Sequence, residues 1–153
     1  MKRLDCDVLV IGGGPAGLAA ACAARDRSAD RVLIVERNNE LGGILPQCIH
    51  NGFGLQALGQ DLTGPEYASH WIRQAEKVRV DSMTRTMVLS MDKHLCVVAS
   101  SASDGLVEVG AKAIVLAMGC RERPRGALAI PGTRPAGVYT AGTAQRLVNM
   151  EGY

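Results

Sequence analysis

The sequence predicts an α/β fold with a parallel sheet, and three observations support that prediction. A short apolar run, Cys6–Ile11, breaks into glycines. An alanine-rich stretch typical of a helix follows from Pro15 to about Arg27, and a second apolar run occupies Arg31–Glu36. A strand, a helix and a strand in this order form a unit whose two strands run parallel. Pro15 suits the first turn of the helix, because its missing N–H costs nothing there.

The segments after residue 36 predict a helix, further strands and a last short helix. Asn38–Gly59 is rich in glycine and asparagine and is typical of a long functional loop. Thr63 resembles a helix N-cap, with Pro65 and Glu66 early in the helix that follows. The runs that predict strands are Val78–Met83, Thr86–Met91, Leu95–Ser100, Leu106–Val109 and Ala113–Ala117. The second, third and fourth of them predict an antiparallel meander, and Thr140–Asn149 predicts the last helix.

Length and composition favour one domain and exclude several classes of function. The 153 residues are about one domain's worth of chain, and 47% of them are hydrophobic, which is enough to form a core. The net charge is +2 and the charges are mixed, so no basic block favours nucleic acid. The first apolar run is too short for a signal segment or a membrane span. We therefore expect a cytoplasmic protein with no membrane span.

The cysteines do not predict a disulfide framework or a metal site. They are Cys6, Cys22, Cys48, Cys96 and Cys120. Their number is odd and no two have CxxC spacing, so disulfides and a zinc knuckle are both disfavoured. Cys48 and His50 have no further ligands nearby, which disfavours a metal between them. We expect most of the cysteines to be small buried apolar side chains.

A glycine motif, Gly12-x-Gly14-x-x-Gly17, lies between the first strand and the first helix. Gly12 allows the tight turn, Gly14 lets the backbone approach a pyrophosphate, and Gly17 lets the helix pack closely on the strand. The helix N-terminus then offers its N–H groups and the positive end of its dipole to the phosphates. The motif in this context predicts a Rossmann-like fold that binds a dinucleotide.

Glu36 ends the second strand, 19 residues after Gly17. A carboxylate at this place accepts hydrogen bonds from ribose hydroxyls. The alternative is a glycine-rich structural turn beside an exposed acid, but it does not explain why all the parts occur in order. The negative charge of Glu36 also disfavours a 2′-phosphate, which leaves FAD or NAD. The glycine motif does not choose between these two.

Two further stretches carry a resemblance to a known family. Leu41-Gly42-Gly43-Ile44-Leu45 follows the acid, and Ala117-Met118-Gly119 ends the last apolar strand. The chain resembles the pyridine nucleotide–disulfide oxidoreductase superfamily, whose members are flavoproteins with two dinucleotide-binding domains. In that superfamily the first glycine motif binds FAD, and a GG stretch after the acid lies along the pyrophosphate of the flavin cofactor. An antiparallel meander precedes a strand that ends in the residues Ala-Thr-Gly. The resemblance implies FAD in a Rossmann-like fold with a parallel sheet and a three-stranded antiparallel β-meander.

The thioredoxin-reductase branch of that superfamily is more similar still. Gly42–Leu45, His50–Gly54 and Asp61–Pro65 follow one another in the order typical of the branch. Carried over by position, the resemblance implies Asn51 near the flavin ring and Met83 near the adenine. The cofactor-binding residues implied in this way are Gly12, Gly13, Gly14, Pro15, Ala16, Gly17, Glu36, Arg37, Gly42, Gly43, Ile44, Asn51, Met83, Ala117, Met118 and Gly119.

The amino-acid sequence also resembles that of one subgroup of the superfamily, the FAD-dependent subunits related to opine oxidase and hydrogen cyanide synthase. This resemblance implies an oxidoreductase that passes electrons from NAD(P)H or a small reduced substrate through flavin to an acceptor. Residues 1–153 would then form the N-terminal part of an FAD-binding domain, without the NAD(P)H domain and the second half of the FAD domain. A second copy or a partner polypeptide would complete the domain. The alternative is a non-catalytic nucleotide-binding fragment or one partner of a split flavoprotein.

Several residues near these motifs have both a functional and a structural interpretation. Cys48 could interact with the flavin or be a buried loop cysteine, and His50 could donate a proton or fix the loop. Cys120 precedes Arg121-Glu122-Arg123, which either closes over the pyrophosphate or forms a solvated turn. Trp71 is interpreted as packing in the core or against a partner rather than stacking on flavin. No catalytic residue is predicted.

Overall fold

The computed structural model describes residues 1–153 and contains one mixed sheet. Its six strands are β1 (Lys2–Ile11), β2 (Val32–Val35), β3 (Asp81–Met83), β4 (Thr86–Met91), β5 (Cys96–Ser101) and β6 (Gly105–Leu116). They lie in the order β3-β2-β1-β6-β5-β4. β1, β2, β3 and β6 are parallel, whereas β4, β5 and β6 form an antiparallel meander. The predicted α/β fold, a parallel sheet with a three-stranded meander, is confirmed.

β6 is longer than the sequence predicts, because it unites two predicted strands. Leu106–Val109 and residues 113–116 belong to this one strand, which pairs with β1 from Val107 to Leu116, and Ala117 follows its end. The break in apolar pattern between them is not a turn, since Lys112 forms an ion pair with Asp7 of β1 at 2.6 Å. The prediction of two separate strands is therefore wrong. β6 belongs both to the parallel sheet and to the meander.

β3 is shorter than the predicted strand Val78–Met83. Val78 still belongs to the end of the preceding helix, because its amide donates to the Gln74 carbonyl at 3.1 Å. Arg79 follows with a φ of 59°, in the left-handed region. This turn takes up the first residues of the predicted strand and leaves Asp81–Met83 to pair with β2.

Four α-helices accompany the sheet: α1 (Pro15–Asp26), α2 (Leu55–Leu58), α3 (Gly64–Lys77) and α4 (Ala141–Asn149). A 3-10 helix, Leu45–Gln47, lies in the long loop before α2. Thr63 caps α3 as predicted: its amide donates to the Glu66 carboxylate at 2.8 Å, and its hydroxyl accepts from the Glu66 amide. Hydrogen bonds from the Thr63 amide and hydroxyl lower the pKa of Glu66. No helix is long and apolar enough to cross a membrane.

Two apolar cores cover the two faces of the sheet. Because successive strand residues point to opposite faces, Leu9 and Val10 belong to different cores. The core under the meander comprises Cys6, Leu9, Ile11, Leu33, Val35, Val97, Val107 and Val109. The core under α1 and α3 comprises Val10, Leu18, Ala21, Cys22, Val32, Ile34 and Ala75. One core thus gathers residues of β1, β2, β5 and β6, and the other packs the sheet against the helices.

The carboxyl ends of three strands meet at one edge of the sheet. Ile11 lies opposite Val35 of β2 and opposite Leu116 of β6. The residues that leave the sheet after these positions are therefore neighbours, namely the glycine motif, Glu36 and the turn Ala117–Gly119. This is the edge at which open parallel sheets bind their ligands.

Residues 118–153, the carboxyl-terminal segment, are organised differently. None of them is buried, and α4 is their one α-helix. The predicted last helix at Thr140–Asn149 is confirmed as Ala141–Asn149. Its first turn is held by Glu122, whose carboxylate accepts from the Gly142 amide at 3.0 Å.

Candidate functional site

The first glycine loop, residues 12–17, approaches its neighbours too closely for side chains at two positions. Gly12 has a φ of 109°, and a Cβ on it would lie 2.3 Å from the carbonyl oxygen of Ala117. A Cβ on Gly17 would lie 1.9 Å from the carbonyl oxygen of Gly12. Gly12 is therefore required for the turn out of β1, and Gly17 for the close packing of α1 on that turn.

The beginning of α1 leaves backbone donors unpaired. Leu18 donates the first hydrogen bond of the helix, to the carbonyl of Gly14 at 2.9 Å. The amides of Gly14, Ala16 and Gly17 precede this bond and donate no hydrogen bond within the protein. Pro15 has no amide to leave unpaired. Free amides at a helix N-terminus, with the positive end of the helix dipole, form a site for an anion.

The second glycine loop, residues 42–44, lies directly against the first. The amide of Gly42 donates to the carbonyl of Gly13 at 2.8 Å. A Cβ on Gly43 would lie 2.9 Å from the Cα atom of Gly14, so a side chain there would separate the loops. The amides of Gly43 and Ile44 donate no hydrogen bond within the protein. The structure thus brings free amides from two loops to one place, where they can surround one anionic group.

Glu36 lies beside these amides and is buried, with 5% of its surface exposed. Its Oε2 accepts from the amide of Gly13 and its Oε1 from the amide of Asn38, both at 2.8 Å. The carboxylate therefore fixes the shape of the first glycine loop. Each oxygen also retains acceptor capacity, so the same group can accept hydrogen bonds from ligand hydroxyls.

A cavity of about 190 Å³ opens between the ends of β1 and β2 and the strand β4. Its lining residues are Ile11, Gly12, Val35, Glu36, Arg37, Thr86, Met87, Val88 and Met118. Gly12, Glu36, Arg37 and Met118 are among the predicted site residues, and the structure brings them together here. The β4 residues are not predicted from the sequence, because a strand pattern does not tell which part of the meander faces the glycine motif.

Met83 lies apart from this cavity. Its side chain packs against the core under the meander, and its carbonyl accepts from the Glu36 amide at 2.9 Å. Met83 also lines a second cavity of about 250 Å³, together with Lys2, Arg31 and Asp81. That cavity includes residues from the amino ends of β1 and β3, away from the two glycine loops.

Asn51 lies in an exposed loop that is ordered by its neighbours. The amide of Gly52 donates to Asp61 at 2.8 Å, and Phe53 and Leu62 pair across the loop. Nδ1 of His50 lies 2.8 Å from the carbonyl oxygen of Asn51, and the His50 ring lies 5.3 Å from the Phe53 ring, tilted by 37°. This geometry fixes the loop that carries Asn51.

Cys48, Trp71 and Glu122, which have both a functional and a structural interpretation from the sequence, all make contacts within the protein. Cys48 is buried, and its thiol lies 3.5 Å from the Ile44 carbonyl oxygen. Trp71 packs against the core under α1 and α3. Glu122 caps α4, and hydrogen bonds from the Thr140 hydroxyl and the Gly142 amide hold its pKa below the ordinary value.

The sequence matches the family model described as "Pyridine nucleotide-disulphide oxidoreductase" over residues 6–150. The chain belongs to this family. Its fold is the FAD-binding, Rossmann-like type of that family, and FAD is the family's cofactor, commonly linked to NAD(P)H. The resemblance inferred from the glycine motif, from the LGG stretch (Leu41–Gly43) and from the turn Ala117–Gly119 is therefore confirmed.

Curated relatives include subunits of two oxidases and of a synthase. One of the opine oxidase subunits of Agrobacterium tumefaciens is 35% identical over 91% of this chain and 28% of its own length. The alpha subunit of sarcosine oxidase from a Corynebacterium species is 33% identical over 98% of this chain and 16% of its own length. The HcnB subunit of hydrogen cyanide synthase from Pseudomonas protegens is 25% identical over 93% of this chain. The chain spans between about one sixth and one third of the length of these relatives.

Solved structures share the fold. L-proline dehydrogenase from P. horikoshii matches 77% of this chain with a TM-score of 0.66 and 26% identity, over 23% of its own chain. Thioredoxin reductase from Lactococcus lactis matches 83% of this chain with a TM-score of 0.64 and 26% identity, over 39% of its own chain. The chain is therefore a domain of the FAD-dependent oxidoreductase type.

Proposed function

We propose that this chain binds FAD across the carboxyl ends of β1, β2 and β6. The observation that carries the proposal is the contact between the two glycine loops, which gathers free amides beside the buried carboxylate of Glu36. A dinucleotide presents an anionic pyrophosphate next to ribose hydroxyls. Donors for the first group and an acceptor for the second are the two features that the site combines.

The pyrophosphate would bind at the two glycine loops. The amides of Gly14, Ala16 and Gly17 would serve one phosphate, and those of Gly43 and Ile44 the other. The fit depends on a missing side chain at Gly43, because a Cβ there would lie 2.9 Å from the Cα atom of Gly14 and would separate the loops. The two glycine loops contain no charged side chain, so their backbone amides and the α1 dipole would attract the pyrophosphate.

The adenosine part would occupy the 190 Å³ cavity. Glu36 would accept the ribose hydroxyls while still holding the Gly13 amide. Arg37 lies on one side of the cavity, and the thioether side chains of Met87 and Met118 lie on others. Flexible, polarisable side chains of this kind pack well against an aromatic ring. Met83 would contribute through its carbonyl, which orients the Glu36 backbone.

The flavin end would extend from the pyrophosphate in the other direction, towards the loop that carries Asn51. Bound FAD supplies hydride and electron transfer, and the protein binds, orients and shields it. We infer an oxidoreductase in which electrons pass from NAD(P)H or a small reduced substrate through flavin to an acceptor. The names of two oxidase subunits, a dehydrogenase and a reductase among the similar proteins support this class of reaction.

The chain would act with a partner polypeptide or a second copy, as the N-terminal part of an FAD-binding domain. β6 pairs with β5 only as far as Gly110, so residues 111–116 have β1 on one side and no strand on the other. Leu116 and Met118, at the end of this edge, are 56% and 65% exposed. An unpaired strand edge with apolar side chains favours association. The same edge supports the alternative of a non-catalytic nucleotide-binding partner.

The test of cofactor binding is a titration of the chain with FAD and, separately, with NAD. We expect FAD to stay with the protein through gel filtration, with a flavin absorption spectrum that differs from that of free FAD. Glu36→Arg should abolish retention, because it removes the ribose acceptor and the anchor of the Gly13 amide. Glu36→Gln should weaken binding by about tenfold or more, because a neutral amide is a weaker acceptor.

Glu76→Arg is the matched control, since Glu76 is exposed on α3 and forms no hydrogen bond through its side chain. Circular dichroism of each variant separates loss of binding from loss of fold. The proposal fails if folded Glu36→Arg retains FAD as the parent chain does, or if the parent prefers NAD. Mass by light scattering with and without FAD then tests the association proposed for the β6 edge.

A further inference from the structure

One residue makes all the hydrogen bonds between the carboxyl-terminal segment and the rest of the protein. Three hydrogen bonds link residues 118–153 to residues 1–117, and every one of them ends on Gln47. The side-chain amide of Gln47 donates to the Gly142 carbonyl at 3.2 Å and to Oε1 of Gln145 at 2.8 Å. The carbonyl of Gln47 accepts from Nδ2 of Asn149 at 2.8 Å.

Gln47 is well placed to hold its partners. It is 8% exposed, so water cannot readily replace the hydrogen bonds that it makes. Both N–H groups of its side chain are used, and both acceptors belong to α4. The three contacts are distributed along α4, from Gly142 in its first turn to Asn149 at its end. Gln47 therefore fixes the orientation of the whole helix and not only one end of it.

Gln47 is also rigidly connected to the second glycine loop. It ends the 3-10 helix Leu45–Gln47, which begins directly after Ile44. The amide of Leu45 donates to the Gly42 carbonyl, and the amide of Gln47 donates to the Ile44 carbonyl, both at 3.2 Å. A shift of the loop therefore moves Gln47, and a shift of Gln47 moves α4.

We propose that Gln47 is the positioning residue that fixes the second glycine loop and α4 relative to one another. The inference rests on the proposed binding of FAD at the free amides of Gly43 and Ile44. The carboxyl-terminal segment starts at Met118 in the adenosine cavity and returns to the first 117 residues at α4, so both of its attachments lie beside the site. FAD bound at the second glycine loop stabilises the docked position of α4 through Gln47. By linkage, the α4 contacts strengthen FAD binding by the same factor by which FAD strengthens those contacts.

The test compares Gln47→Met with the full-length parent chain by hydrogen exchange, with and without FAD. Methionine has a similar size and no donor. Without FAD, we expect exchange in residues 141–149 to accelerate by about tenfold in the variant, because two hydrogen bonds are lost. Exchange in β1 and α1 should not change. FAD should slow exchange in α4 of the parent, whereas saturating FAD should not slow it in the variant. The FAD affinity of the variant should be lower than that of the parent, by about the factor by which FAD slows exchange in α4 of the parent.

Gln56→Met is the matched control, because Gln56 is an exposed glutamine of α2 whose side chain forms no hydrogen bond. A rescue variant makes the assignment specific. Gln47→Glu lacks the two donors and should free α4, whereas Gln47→Glu combined with Gln145→Lys should restore its protection, since an ion pair replaces the side-chain hydrogen bond of 2.8 Å. A destabilisation of the loop alone would not be repaired by a change 98 residues away.

Two results would overturn the inference: unchanged exchange in α4 of Gln47→Met without FAD, or equal FAD-dependent protection of α4 in the parent and in that variant. Failure of FAD to bind the parent chain would overturn the proposed function and with it the coupling. Exchange without FAD would still decide whether Gln47 anchors α4. The two failures are therefore distinguishable.

Discussion

The two parts of this chain, residues 1–117 and residues 118–153, are held in place by different interactions. The first part contains every buried residue of the protein, including both apolar cores. The second part has no buried residue and exposes Leu128, Ile130 and Tyr139 by about half or more of their surface. Its links to the first part are the covalent chain and the hydrogen bonds of Gln47.

The difference shows how stability and the candidate site are related. The glycine loops and Glu36 lie at the edge of a sheet packed on both faces, so their geometry is determined by apolar burial. The carboxyl-terminal segment is attached by polar contacts, each of modest net worth, and such regions open locally without global unfolding. We therefore expect the site to be preorganised on the first part, and the second part to respond to what binds there.

The largest expected effect contrasts one glycine from each part. Gly17→Ala should lower the free energy of unfolding by about 3 kcal/mol or prevent folding, because a Cβ would collide with the Gly12 carbonyl. Gly137→Ala should cost about 1 kcal/mol, because the space around Gly137 is open and only its positive φ of 85° opposes a side chain. Urea unfolding of both variants measures the contrast, and equal losses would contradict it.

The next effect concerns the reactivity of cysteines in the two parts. Burial raises the pKa of the Cys6 thiol from 9.0 to about 11, so its reactive thiolate at neutral pH is about 100-fold scarcer than usual. Burial also raises the pKa of Cys22. Cys120 is exposed. A chromogenic disulfide reagent should therefore modify one thiol quickly in the native protein, and Cys120→Ser should remove that fast phase. A fast phase that persists in this variant would show that the first part opens readily.

The smallest effect is a pH response that separates two capped helices. Glu122 caps α4 and Glu66 caps α3, and both have a pKa lowered from the ordinary value of 4.5. Their contributions are complete above that value and are lost as pH falls through the lower pKa of the folded state. Because the apolar core also holds α3, acid should loosen α4 and leave α3 formed. Carbon chemical shifts of the two helices followed from neutral to acidic pH measure this, and simultaneous melting would contradict the contrast.

Local chemistry allowed much of the first part to be predicted. The order of apolar run, glycines, Pro15 and alanine-rich helix specifies a strand, a turn and a helix, and Thr63 with Glu66 specifies the start of α3. These features depend on residues close together in the chain. The resemblance to the family rests on the same residues, namely the glycine motif, Glu36 and the LGG stretch, and the family match over residues 6–150 confirms it.

The unpredicted features depend on contacts between distant residues. The two glycine loops touch through Gly13 and Gly42, and no periodicity indicates that contact. Lys112 lies between two runs that predict separate strands, but its partner Asp7 lies on a strand about 100 residues earlier in the chain. Gln47 is one polar residue in a loop, and its partners on α4 follow 95 or more residues later. In each case the residue type is visible in the sequence, but the group that it faces is not.

The most direct test of the proposed site follows individual backbone amides by NMR during a titration of the isotope-labelled chain with FAD. We predict that the resonances of Gly14, Ala16, Gly43 and Ile44 shift most and saturate together, because these amides have no acceptor within the protein. Resonances around the cavity that contains Lys2 and Asp81 should not change. Shifts confined to that second cavity, or shifts in only one of the two glycine loops, would contradict the account.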